Sequence, residues 1–175
     1  MEIPSPYGSS ESKGDQHTLH YELSVPHPQA DVWAAIATPE GLPTWLAAAE
    51  PFEQREGGAI TLRWLNTDPE GKATVAPRAG DGLGPAAAGR VHGRHPRPDP
   101  LRAGARTGER RGTLLHFTNE LTGAEDTRLD CLAGWHHHFE YLLSALAGHP
   151  ADWSAWQPDR WRKLRTEYQR GWPPQ

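Results

Sequence analysis

The sequence predicts an α+β fold that ends in a long helix, and three observations support this prediction. Residues 18–25 and 113–121 alternate between apolar and polar side chains, which is typical of half-buried strands. Residues 128–147 repeat apolar side chains at helical spacing. Between the two alternating segments, the glycine pair at 57–58 predicts the tight turn of a hairpin.

Length and charge restrict the class of protein. The 175 residues carry a net charge of −4 and contain no apolar run long enough for a membrane span. We therefore expect neither a nucleic-acid partner nor a membrane span. A single cysteine, Cys131, excludes an internal disulfide bond, and no basic-then-apolar signal opens the chain, so we expect a cytoplasmic protein. Residues 1–15 are rich in Ser, Gly, Pro and charge and predict a disordered tail before a single domain at 16–170.

Two short helices are expected after the first strand, in VPHPQADVWAAIATPEGLPTWLA. Pro26 and Pro28 end the strand, and Pro39 separates the two helices because proline interrupts the helical hydrogen-bond ladder. The residues that we expect to face the core are Val32, Trp33 and Ile36 in the first helix and Leu42, Trp45 and Leu46 in the second.

A hairpin, a strand and two helices make up the rest of the predicted domain. The hairpin covers 52–65, with Ile60, Leu62 and Trp64 on one side of its second strand. The strand at 113–121 leads into the long helix, and a last amphipathic helix covers 158–169. The apolar face of the long helix consists of Leu132, Trp135, Phe139, Leu142, Leu143 and Leu146.

Residues 73–110 follow neither the strand period nor the helix period. Alanine, glycine, proline and arginine dominate the segment, and its large apolar residues are only Val75, Leu83, Val91 and Leu101. Such a composition buries too little surface to offset the entropy of ordering the chain. Two hypotheses remain open: a disordered basic insertion, or a stretch translated out of frame, because these four residue types have codons built from G and C.

Four segments resemble the signature segments of the SRPBCC (START-like) superfamily: the helix-forming stretch quoted above, GGAITLRW, GTLLHFTNEL and AGWHHHFEYLLSALAG. The branch that they resemble contains bacterial proteins similar to the C-terminal domain of the activator of the heat-shock-protein-90 ATPase. The resemblance covers 16–66 and 112–168. It implies a helix-grip fold, in which a curved antiparallel β-sheet wraps around the long C-terminal α-helix and two short helices follow the first strand. Relatives have central strands where this chain has 73–110.

The resemblance also implies a function. START-like proteins often hold a hydrophobic small molecule in a cavity between the sheet and the C-terminal helix. The candidate lining residues in this chain are Trp33, Trp45, Trp64, His116, Trp135, Phe139 and Leu142. Each of them is equally compatible with ordinary core packing. We expect no cofactor.

Two alternatives follow from the same resemblance. One is a polyketide cyclase or aromatase, which needs an acid–base group inside the cavity, and His116 is the candidate for it. The other is an interaction module that binds a chaperone partner. The run His136, His137 and His138 predicts no metal site, since neighbouring residues of a helix point about 100° apart. We expect His136 and His137 to be solvated and His138 to border the apolar face.

Overall fold

The computed structural model describes residues 6–52, 60–67, 73–76 and 112–171, and it shows a mixed α+β architecture with antiparallel strands and one long helix. Six strands are described: β1 (Ser9–Lys13), β2 (Gln16–Val25), β3 (Ala47–Phe52), β4 (Ile60–Thr67), β5 (Ala73–Ala76) and β6 (Thr113–Thr122). The helices are α1 (Gln29–Ile36), α2 (Glu125–Leu146) and α3 (Asp159–Gln169), with short 3-10 turns at Leu42–Thr44 and Trp153–Ala155. None of the helices in these ranges is both long and apolar enough to cross a membrane.

The described strands form two antiparallel sheets of three strands each. The first has the order β1-β2-β6, and β2 pairs with β6 along its whole length, from Gln16 opposite Thr122 to Val25 opposite Thr113. The second has the order β3-β4-β5. The predicted single curved sheet requires a connection between β5 and β6, and the residues that separate these strands in sequence lie outside the described ranges.

The expected disordered tail is wrong for residues 6–13. Ser9–Lys13 form β1, which pairs with the first half of β2 through a two-residue turn whose first residue, Gly14, has φ +64°. Glycine adopts this backbone conformation without strain. Polar contacts from the preceding residues also fix the segment, because the backbone N–H of Gly8 donates to the Tyr168 hydroxyl at 2.8 Å. A polar sequence can form an edge strand when such contacts are available.

The irregular segment begins later than the composition predicts. Residues 73–76 form β5, which pairs with β4, so the first four residues of the predicted irregular range belong to a sheet. Both hypotheses about the rest of that range concern residues outside the described part of the chain, and they stay predictions.

Helix α2 lies between the sheets and α3. On one side its aromatic residues pack against β2 and β6. On the other side α3 is held by ion pairs: the Arg160 guanidinium binds the Glu140 carboxylate, and Arg165 donates to Asp130 at 2.5 Å and to Asp126 at 2.7 Å. The helix therefore has two buried faces rather than the single apolar face that the sequence period predicts.

Two glycines in this framework predict opposite effects of the same substitution. A Cβ atom on Gly41 would lie 2.1 Å from the Ala34 carbonyl oxygen, so Gly41→Ala must displace backbone. A Cβ on Gly134, inside α2, would meet only the Trp161 Nε1 atom at 4.0 Å. We expect Gly41→Ala to lower the free energy of unfolding by about 1–3 kcal/mol and Gly134→Ala to raise it by about 0.5–1 kcal/mol. Urea denaturation of both variants measures this, and equal effects of the two substitutions would contradict the packing at Gly41.

Candidate functional site

The aromatic face of α2 is the starting point of the candidate site. Trp135, Phe139 and Leu142 follow each other at intervals of four and three residues, so their side chains point to the same side of the helix. All three are buried, and Phe139 is only 1% exposed. Two acidic residues in the first turn of the helix, Glu125 and Asp126, match the positive end of its dipole.

This face packs on the inner side of the first sheet. Tyr21 of β2 and Phe117 of β6 are opposite each other in the strand register, so they lie on the same face. Their ring centroids lie 5.0 Å and 5.2 Å from that of Phe139. Trp45 stacks on Phe139 at 6.0 Å. The indole N–H of Trp135 donates a hydrogen bond to the buried Asn119 side chain at 3.3 Å. The polar atom of the Trp135 side chain is therefore hydrogen-bonded.

The second sheet also presents apolar residues to α2. Trp64 of β4 is opposite Ala47 and Leu62 is opposite Ala49, so these four side chains share one face of the sheet. The two alanines are buried, whereas Leu62 and Trp64 are half-buried. The Trp64 ring centroid lies 5.3 Å from that of His138 on α2. The larger side chains thus border the space between this sheet and the helix.

His138 combines a polar atom with aromatic surroundings. Its Nδ1 atom lies 3.0 Å from the Trp45 carbonyl oxygen, and since a carbonyl only accepts, Nδ1–H must donate. The rings of Trp153, Tyr141 and Trp64 surround it at 5.3–6.2 Å between centroids. Burial lowers the pKa of His138 to about 4, although the hydrogen bond to Trp45 acts in the opposite direction. The imidazole is therefore neutral at pH 7, with the hydrogen on Nδ1 and a lone pair on Nε2.

A second polar group lies close by along β4. The Oδ1 atom of Asn66 is buried and has no hydrogen-bond partner among the described residues. Asn66 follows Trp64 by two residues and lies where β4 has extra residues relative to β5, between Arg63 and Thr67. Such bulges redirect side chains and are frequent beside functional sites. The predicted hairpin ends at residue 65, so pattern reasoning missed Asn66, which belongs to β4.

His116 lies on the other side of the first sheet. Its neighbour Phe117 faces α2, so alternation along β6 directs His116 to the outer face. There it is opposite Glu22 and its Nδ1 atom lies 3.4 Å from the Glu22 carboxylate. The cyclase alternative needs an acid–base group in the space between the sheet and the helix. The structure places His116 on the opposite side of the sheet from this space.

His116 also lines an open groove of about 420 Å³. The residues that line it come from the N-terminal segment, β2 and β6: Tyr7, Gly8, Ser9, His20, Tyr21, Glu22, His116, Phe117 and Thr118. The lining includes residues from both faces of the sheet, since Tyr21 and Phe117 pack on Phe139, and none of the lining residues belongs to α2.

The seven predicted lining residues are thus divided among three locations. Trp45, Trp135, Phe139 and Leu142 are brought together as packed core, and Trp64 borders the same face. His116 lies on the outer face of the sheet. Trp33 of α1 is 53% exposed and belongs to neither group.

The histidine run occupies three different environments. The prediction that His136 and His137 are solvated is wrong, since they are 0% and 7% exposed. His136 lies under α3, where its Nδ1 atom is 2.9 Å from the Tyr168 hydroxyl and its Nε2 atom is 3.4 Å from the Glu140 carboxylate. The ring of His137 packs on Tyr141 at 4.6 Å. The burial of His136 depends on α3, which packs on the second side of α2 and follows it in sequence, so the period of α2 alone does not indicate it.

Glu140 connects this polar cluster to α3. Although its burial opposes ionisation, hydrogen bonds from Arg160 and His136 lower the pKa of the Glu140 carboxyl to about 2. The carboxylate therefore stays charged over the whole physiological range and neutralises Arg160. In the described ranges no group of three or more His, Cys, Asp or Glu side chains has a geometry that could hold a metal ion.

Comparisons with known proteins give the fold and no closer relationship. No protein-family model matches the chain, and no curated protein sequence matches it. Among solved structures, a conserved protein of unknown function from Enterococcus faecalis is 11% identical, with a TM-score of 0.56 over 94% of this chain and 89% of that one. The solution structure of CalU16 from Micromonospora echinospora is 16% identical, with a TM-score of 0.51 over 95% and 91% of the two chains. A protein from Bordetella parapertussis is 24% identical, with a TM-score of 0.54 over 97% and 94%.

These likenesses extend over nearly the whole length of each protein. At such identities they show a shared α+β fold and carry no information about a ligand or a reaction. What this chain binds must therefore be argued from its own residues.

Proposed function

We propose that this protein has the helix-grip fold of START-like proteins and binds a hydrophobic small molecule between its antiparallel strands and α2. One observation carries the proposal: α2 packs its aromatic face on the first sheet and His138 on Trp64 of the second sheet, where Leu62 and Trp64 are only half-buried. A ligand that covers these side chains gains roughly 25 cal/mol per Å² of apolar surface removed from water.

The packed and the half-buried residues have different roles in this proposal. Phe139, Trp45 and Trp135 form a rigid floor, since their rings stack on each other and on the first sheet. Trp64 and Leu62 form the wall that the ligand contacts. In this proposal the ligand lies between the rigid floor and the less covered wall, with most of its apolar surface removed from water.

Native mass spectrometry and an uncharged fluorescent probe test the proposal together. We expect the purified protein to carry an additional mass that is lost after extraction with organic solvent. We then expect N-phenyl-1-naphthylamine to bind the extracted protein with enhanced fluorescence. A single mass combined with no fluorescence enhancement would contradict the proposal.

Substitution of Trp64 locates the binding site. Trp64→Ala removes the largest side chain of the wall, so we expect about tenfold weaker binding of N-phenyl-1-naphthylamine, which corresponds to the loss of one aromatic contact. Leu114→Ala is the matched control, because Leu114 is an exposed apolar residue on the outer face of β6. Equal affinities of the two variants would place the probe elsewhere.

A further inference from the structure

The polar atoms near Trp64 narrow the chemical class of the ligand. His138 Nε2 is an acceptor, because the hydrogen bond from Nδ1–H to the Trp45 carbonyl fixes the tautomer and the burial of the ring disfavours the protonated form. No described residue donates a hydrogen bond to it. The half-buried imidazole lies among the rings of Trp64, Tyr141 and Trp153, so Nε2 is a single acceptor in an aromatic environment.

Asn66 adds a second, independent observation. Buried polar atoms are almost always hydrogen-bonded, because an unpaired one costs about 1–3 kcal/mol. The Asn66 Oδ1 atom is buried without a partner among the described residues, two positions along β4 from Trp64. The Oδ1 atom is an amide oxygen, which accepts hydrogen bonds and cannot donate them. A ligand next to this part of β4 would therefore also need a hydrogen-bond donor.

We propose that the site takes an aromatic small molecule that carries a hydroxyl group, and that His138 Nε2 accepts the hydrogen of this hydroxyl. This inference rests on the proposed function, since it concerns the same space between β4 and α2. The aromatic rings around His138 favour a ligand with a flat apolar body, and the acceptor atom His138 Nε2 requires a hydrogen-bond donor on that ligand. A carboxylate ligand is disfavoured, because it would place a charged acceptor against the lone pair of a neutral imidazole.

Equilibrium dialysis with three probes of nearly equal size tests the proposal: naphthalene, 1-naphthol and 1-naphthoate at pH 7. We expect 1-naphthol to bind about tenfold more tightly than naphthalene, which is the gain from one hydrogen bond. We expect 1-naphthoate to bind more weakly than 1-naphthol. Equal affinities of naphthalene and 1-naphthol, or a preference for the carboxylate, overturn the assignment of the ligand class while the apolar site stands. Failure of all three probes to bind overturns both the assignment and the proposed function.

Two variants test the role of His138. His138→Asn keeps a donor near the Nδ1 position for the Trp45 carbonyl and removes the Nε2 acceptor, so we expect 1-naphthol and naphthalene to bind with nearly equal affinity. His138→Gln places an amide near the Nε2 position and should restore part of the preference for 1-naphthol. His149→Asn, at an exposed position, is the matched control and should keep the full preference. A tenfold preference that survives in His138→Asn assigns the hydroxyl to another residue and overturns the role of His138.

A measurement on the unsubstituted protein covers the case in which these variants do not fold. The ¹⁵N resonance of His138 Nε2 should move when 1-naphthol is added and stay unchanged with naphthalene, because only a hydroxyl donates to the lone pair. A resonance that does not respond to saturating 1-naphthol contradicts the proposal.

Discussion

Phe139→Ala is expected to lower the free energy of unfolding by about 3–5 kcal/mol, which is the usual cost of truncating a fully buried aromatic side chain. Phe139 is 1% exposed, and its ring contacts Tyr21, Phe117, Trp45 and Trp135. The substitution therefore removes contacts with β2, β6, the segment before β3 and α2 itself. No described neighbour can fill the space without leaving its own contacts, so the cavity term adds to the lost burial.

Urea denaturation at equilibrium measures this loss. Leu114→Ala is the matched control, since Leu114 is 41% exposed, and its effect should stay within about 0.5 kcal/mol. A loss below about 1 kcal/mol for Phe139→Ala would mean that α2 does not pack on the sheet as described. The floor of the proposed site would then not exist.

Acidification is expected to destabilise the protein between about pH 6.5 and pH 4 through His138. Its pKa is lowered from the ordinary value of 6.5 to about 4 in the folded protein. As the pH falls through 6.5, His138 binds a proton in the unfolded chain but not in the folded protein. The unfolded state is therefore stabilised relative to the folded state. The loss grows until the pH reaches the folded pKa of about 4 and then levels off. Because the side chain is only half-buried, we expect about 1–3 kcal/mol from this residue.

Urea denaturation at a series of pH values separates this contribution from the others. His137 also has a lowered pKa because of burial, so the unsubstituted protein should lose stability from both residues. In His138→Asn, the part of the slope between pH 6.5 and 4 that is due to His138 should disappear, whatever the absolute stability of the variant. His149→Asn should keep the original slope. Identical slopes in the unsubstituted protein and His138→Asn would show that the ring of His138 is accessible to protons in the folded state.

The two predictions bear on different parts of the proposed site. The first tests the packed floor, and the second tests whether His138 is neutral and therefore able to act as an acceptor. If the first prediction is confirmed and the second is wrong, the hydrophobic site is still supported. The argument for a ligand with a hydroxyl group is then removed.

Pattern reasoning predicted the elements whose signals are local. The alternation of residues 18–25 and 113–121 corresponds to β2 and β6, and the helical period of residues 128–147 corresponds to α2. These predictions hold because one face of each element is apolar, and a fixed period of side chains follows from backbone geometry alone.

Other features had weaker signals that the sequence nevertheless contains. The edge strand β1 has few apolar residues, but a Gly-Asp pair at 14–15 before an alternating strand is a known hairpin signal. His138 follows Trp135 by three residues and therefore lies near the apolar face of α2, as expected. Its role as an acceptor depends on the Trp45 carbonyl, whose position no local pattern indicates.

By itself, the sequence determined where most strands and helices form and which side of β2, β6 and α2 packs on the sheet–helix core, because these properties depend on neighbours within a few residues. Only the tertiary structure decided which polar groups are buried. His136 is covered by α3, His138 is oriented by the segment before β3, and Asn66 is buried without a partner among the described residues. Burial of this kind depends on elements that are far apart along the chain, and the desolvation that it imposes sets both the pKa of His138 and the chemistry that we propose for the ligand.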